Sequence, residues 1–131
     1  MGALGALRLA KPLAAALAAL TIAAAAQAQQ ARTGIFEGRG GHEASGGVTV
    51  ERAGERWVMR FAEDFRLDRA PDPRIAFGND GYDASTTLGR LKSLKGAARY
   101  RLPGRIDPAG YNEVWLWCKK FDVPLAVAKL K

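Results

Sequence analysis

Glu113-Val114-Trp115-Leu116-Trp117-Cys118-Lys119 is the stretch from which the fold can be read. It is rich in apolar and aromatic residues, contains no glycine or proline, and ends in Lys119, which Lys120 and Phe121 follow. Such a run, bounded by turn residues, reads as a strand. Successive side chains of a strand point to opposite faces. Val114, Leu116 and Cys118 therefore share one face, and Trp115, Trp117 and Lys119 share the other. Both faces are apolar enough to be the inner one. If the valine face is the core, Cys118 is a small buried filler. If the tryptophans point inward, Cys118 faces outward and is reactive.

The same period recurs on both sides of this stretch. Gly34–Gly38 begins the fold with a short strand. Val48-Thr49-Val50-Glu51 and Arg56-Trp57-Val58-Met59-Arg60-Phe61 alternate apolar and polar, with a turn at Ala53-Gly54 between them. This register faces Val48, Val50, Trp57, Met59 and Phe61 toward the core. Asp64–Leu67 is extended, Pro71-Asp72-Pro73 is a rigid turn, and Arg74–Phe77 is another strand. Leu88, Leu91 and Leu94 are spaced like a helix, but Gly89 and Gly96 argue for turns or a bent strand. Arg99–Leu102 alternates with Tyr100 and Leu102 inward. Asp107-Pro108-Ala109-Gly110 is a turn, and Val123–Leu130 is the closing strand. The sequence thus predicts an all-β domain, a β-sandwich or small barrel of seven to eight short strands.

Ahead of this domain lies a candidate signal peptide, residues 1–28. Arg8 and Lys11 supply a positive start, Pro12–Ala26 is an apolar alanine–leucine run, and Ala26-Gln27-Ala28 is a cleavage site. The run is shorter than the roughly 17–25 residues that cross a bilayer. Residues 29–33 form a short polar leader, and residues 34–131 form the β domain. The expected location is periplasmic or secreted, with no membrane span after cleavage. Losing Arg8 and Lys11 lowers the formal charge of +7 by two. The remaining basic residues are interspersed with acids, as in Glu51-Arg52 and Asp68-Arg69. That pattern fits a solvated surface and not a nucleic-acid face, where one basic stripe is expected.

The chain has one cysteine and one histidine. An internal disulfide is ruled out, as is a structural zinc site, which needs about four clustered ligands. No Cys-x-x-Cys-His is present, so covalent c-type haem is excluded. In an oxidising compartment an unpaired thiol tends to be paired, buried or used. The two lysines after Cys118 favour thiolate. His42 lies in a glycine-rich loop, Arg39–Gly47, able to meet Cys118. A Cys118–His42 hydrolase lacks an orienting third residue and a nucleophile-elbow motif. Trp115 and Trp117, if outside, form a partner-binding surface.

Leu88-Gly89-Arg90-Leu91-Lys92-Ser93-Leu94-Lys95-Gly96, Tyr100-Arg101-Leu102-Pro103, Ile106-Asp107, Tyr111, Val114–Phe121 and Ala126–Leu130 resemble the DM-thirteen domain family, as do Gly34-Ile35-Phe36, His42 with Ser45–Val48, and Asp64-Phe65. The resemblance implies a small extracytoplasmic β-rich domain, found in animals beside DOMON and cytochrome-b-like reductase modules, with a proposed electron-transfer role. It implies that Cys118 is the redox thiol or the ligand of a group such as non-covalent haem, with His42 a second candidate ligand. The expectation is an accessory redox module, not an enzyme, serving an envelope or redox partner. The alternative is a non-catalytic binding module on the Trp115/Trp117 face, with the cysteine only packing.

Overall fold

The computed structural model describes residues 31–131. The candidate signal peptide therefore lies outside the described residues. Among the described residues ten strands form: β1 (Arg32–Gly38), β2 (Ala44–Ser45), β3 (Gly47–Ala53), β4 (Arg56–Phe61), β5 (Arg66–Leu67), β6 (Pro73–Gly78), β7 (Tyr82–Asp83), β8 (Ala98–Arg101), β9 (Glu113–Cys118) and β10 (Val123–Lys129). Eight of them make one curled, half-barrel sheet in the order β7-β6-β9-β10-β1-β3-β4-β8, while β2 and β5 pair separately. Every pairing is antiparallel. The all-β expectation holds, in its small-barrel form and open along one side.

The alternation seen in the sequence becomes the two faces of this sheet. Val48 opposes Phe61 and Val50 opposes Met59 across β3 and β4, and all four are buried. Gly54, at φ +68°, makes the turn between these strands, with open space around it. Positive φ is cheap only for a residue without Cβ. Phe36, Phe61 and Phe65 form a triangle of edge-on or tilted rings with centroids 4.6–5.4 Å apart, and Tyr100 adds a fourth ring 5.1 Å from Phe61. Tilted and edge-to-face pairs of this kind add about 0.5–1.5 kcal/mol beyond their buried area.

No backbone ladder joins β7 to β8. The gap is closed by the segment between them. The Leu88 and Leu91 amides donate to the Ile75 and Pro73 carbonyls (2.8 and 2.9 Å), extending the free edge of β6. The Lys92 amide then donates to the Tyr100 hydroxyl at 2.9 Å, tying that edge to β8. Leu91, Leu102 and Ile106 are buried in the mouth. This is why the leucines at helical spacing form no helix: the Leu88 and Leu91 amides are committed to β6, and the Leu94 carbonyl accepts the Leu67 amide of β5.

In the centre of the sheet, β9 lies between β6 and β10. Leu116 opposes Ile75 and Ala126, and Val114 opposes Phe77 and Ala128, all fully buried. The register of β10 slips between Pro124 and Ala126. Such a bulge is where a central strand tolerates a proline, which has no amide to donate.

Candidate functional site

Cys118 is the last residue of β9 and sits in the inner phase with Val114 and Leu116. It is 1% exposed and belongs to the hydrophobic core. Its strand partners are Val123 on β10 and Pro73 on β6. Lys119 marks the end of this protection: its amide donates to the Asp72 carbonyl at 3.0 Å, and its side chain is exposed. Only the turn Lys119–Asp122 lies between the thiol and the end of the sheet.

That turn is held from the outer face of β9. Asp122 takes a positive φ of 54°, which aspartate tolerates better than most residues. Its Oδ1 accepts a hydrogen bond of 2.9 Å from Trp117 Nε1. The Trp117 ring lies flat on Tyr82, with centroids 3.9 Å apart and planes 6° from parallel. Trp115 meets Trp117 edge-on at 6.2 Å and donates from Nε1 to Glu113 Oε1 at 3.1 Å. Glu113 is 5% exposed, and the same oxygen accepts the Gly81 amide at 2.8 Å. A Cβ on Gly78 would collide first with the Gly81 carbonyl and would lie 2.7 Å from Trp115 Nε1, so glycine there makes room for the tight β6–β7 turn and for the indole. Both tryptophans are half-buried. Opposite Trp115 stand Ala76 and Val127, both buried although they are on the outer face. The aromatic row acts as their cover.

His42 lies just beyond β1, at the same end of the sheet as Cys118. A Cβ on Gly40, two residues earlier, would meet the Pro124 carbonyl, and the Arg39 amide donates to the Leu125 carbonyl at 2.9 Å. Two strand spacings of about 4.8 Å put the β1 end roughly 10 Å from β9. The two residues are not brought into contact. His42 Nδ1 bonds Asp68 Oδ1 at 2.8 Å, and Asp68 Oδ2 accepts the Glu43 amide at 2.9 Å. Burial raises the Asp68 carboxyl, but the Glu43 amide and the His42 side chain together outweigh it and hold the group below its ordinary range. At the same end, Asp72 Oδ1 accepts from Arg74 Nε at 2.9 Å and Arg90 Nε at 3.2 Å. The Arg74 hydrogen bond is the main reason the Asp72 carboxyl is lowered.

Among the described residues no three His, Cys, Asp or Glu side chains gather as a metal site. Nor does the packing fit a haem on Cys118. An axial sulfur must face a cavity wide enough for the macrocycle, and this thiol faces close-packed core. The arrangement offers a bare thiol, shielded on the inside by aliphatic side chains and overlooked by an exposed two-lysine turn. No described helix is long and apolar enough to cross a membrane.

The sequence singled out Cys118, His42, Trp115 and Trp117, but not their partners. Tyr82 lies between the expected strand Arg74–Phe77 and Leu88, where the sequence marks no strand. Glu113 read as the start of a strand and not as a buried acceptor. Asp68 is 26 residues from the histidine it holds, and no local pattern links them. No curated protein and no solved structure matches the chain. The family model described as Electron transfer DM13 matches residues 36–130, which run from within β1 to just past the end of β10 and include both Cys118 and the aromatic row, and the chain belongs to that electron-transfer family.

Proposed function

We propose that this chain is an exported electron-transfer module of the cell envelope in which Cys118 works as a bare thiol gated by the β9–β10 turn. The observation that carries the proposal is the position of the sulfur. It is buried, yet it is the terminal residue of its strand, beside an exposed turn bearing Lys119 and Lys120. Burial keeps the thiol from adventitious oxidation. Opening one corner of the sheet exposes it without unfolding the core, since strand ends open locally at lower free energy than the whole domain. Once open, the sulfur can meet a redox partner that the closed core keeps out. Export is supported by the residue 1–28 pattern of Arg8 and Lys11, the apolar run and Ala26-Gln27-Ala28.

The rival reading, a binding module on the Trp115/Trp117 face, has less support. Both indole N–H groups are used inside the chain, and one face of Trp117 is taken by Tyr82. Protein-film voltammetry separates the two readings. The thiol reading expects a redox wave from the wild type that is absent from Cys118→Ala. A wave that persists in Cys118→Ala, or no wave from either protein, contradicts it.

A further inference from the structure

The structure leaves a feature that thiol chemistry does not need. Phe121, on the β9–β10 turn, is 62% exposed, and Val123, the first residue of β10, is 38% exposed. Lys119 and Lys120 precede them, both exposed. Among the described residues neither lysine has a carboxylate within ion-pair distance. The Lys120 ammonium lies 5.5 Å from the Phe121 ring centre. The acids nearby are already engaged. Asp122 holds Trp117 Nε1, and Asp72 sits between Arg74 and Arg90. The turn is therefore an exposed apolar tip in which two lysines, Lys119 and Lys120, outnumber the one carboxylate, Asp122, so that it carries an excess of positive charge. It is held in shape by the Asp122–Trp117 bond and the Trp117–Tyr82 stack.

We propose that this tip docks on an anionic lipid surface, with Phe121 and Val123 entering the interface and Lys119 and Lys120 meeting the headgroup phosphates. Lysine stems lie along apolar surface while the charge stays among polar groups, and basic residues beside an apolar anchor are drawn to anionic leaflets. Two side chains offer much less than the roughly 800 Å² per partner of a specific protein interface. A soft lipid interface accepts a small convex tip without a matching pocket. Docking here turns the Cys118 corner toward the membrane plane. The inference goes beyond the redox reading and stands or falls separately from it.

The test is hydrogen exchange of the full chain with and without vesicles, resolved at residues 119–123 so that binding through any other segment is distinguished. Vesicles of equal phosphatidylglycerol and phosphatidylcholine are expected to slow exchange at 119–123, and pure phosphatidylcholine is not. Partition to the anionic vesicles through this site should fall about ten-fold in Phe121→Ser and roughly thirty-fold when Lys119 and Lys120 are both serine. Phe121→Trp should restore it. Unchanged exchange at 119–123, equal slowing on neutral vesicles, or binding indifferent to these substitutions would overturn the proposal. An acidic protein as the true occupant would give the first of these results.

Discussion

The two faces of β9 are both largely apolar and do opposite things with their side chains. On the inner face, Val114, Leu116 and Cys118 have no polar atom to satisfy beyond a thiol, and they vanish into the core. On the outer face, Trp115 and Trp117 are half-buried and meet edge-on, Trp117 stacks on Tyr82, and their N–H groups are anchored to Glu113 and Asp122. The sheet curls, so its inner side is concave. The inner side also takes large rings, Phe36, Phe61, Phe65 and Phe77 among them, so size alone does not exclude the indoles. What distinguishes the outer side is that each indole N–H finds a carboxylate there, Glu113 or Asp122, and that leaves the cysteine to the inner face.

Truncation on the inner face should have the largest effect. Leu116→Ala removes a fully buried side chain from the middle of the sheet and is expected to cost about 2–5 kcal/mol, measured by denaturant unfolding. An effect under 1 kcal/mol would mean that the inner face is loosely packed. Cys118→Ser follows, at about 1–3 kcal/mol, because a hydroxyl in this setting lacks a ready partner. Cys118→Ala should cost less than the serine variant. The reverse order would place the thiol in a polar environment and break the contrast between the faces. Trp117→Phe keeps a ring over Tyr82 but releases Asp122. It is expected to cost about 0.5–1.5 kcal/mol and to speed hydrogen exchange at residues 119–122.

The pH dependence is the finest test. Asp68 and Asp72 have folded carboxyls below their ordinary value near 3.8. Each therefore stabilises the fold above that pH, and the contribution is lost as pH falls through the lower folded value. Tyr100 is shifted the other way: its burial outweighs the Lys92 amide and raises it above 10.0. Its contribution is complete below that pH and fades as pH climbs through the folded value. Thermal unfolding against pH should show the acid limb flattened in Asp72→Asn and the alkaline limb flattened in Tyr100→Phe.

Most strands were legible in the sequence because alternation is a local signal. Val48–Phe61 gave both its strands and its turn, and the stretch from Glu113 ended within one residue of the expected boundary. The start of β1 at Arg32, two residues before the expected Gly34, was less legible. There the Arg32 guanidinium reaches the Pro108 and Tyr111 carbonyls, contacts 76 and 79 residues away. The closure through Lys92 and Tyr100 was equally hidden, since it joins a segment with no regular period to a strand edge. At the site, the sequence could name Cys118, His42, Trp115 and Trp117, but it left the phase of β9 open because both faces are apolar. Tyr82, Ala76 and Val127 resolve it, and only the folded sheet brings them to Trp115 and Trp117.

The most direct test of the gated thiol is the alkylation rate of Cys118 in folded protein, set against global unfolding under the same conditions. The account expects labelling through a local opening at least about a hundred-fold more frequent than global unfolding, accelerated further by Asp122→Ala, which frees the turn. Labelling that tracks global unfolding in both proteins would contradict it and leave Cys118 a packing residue of the β9 inner face.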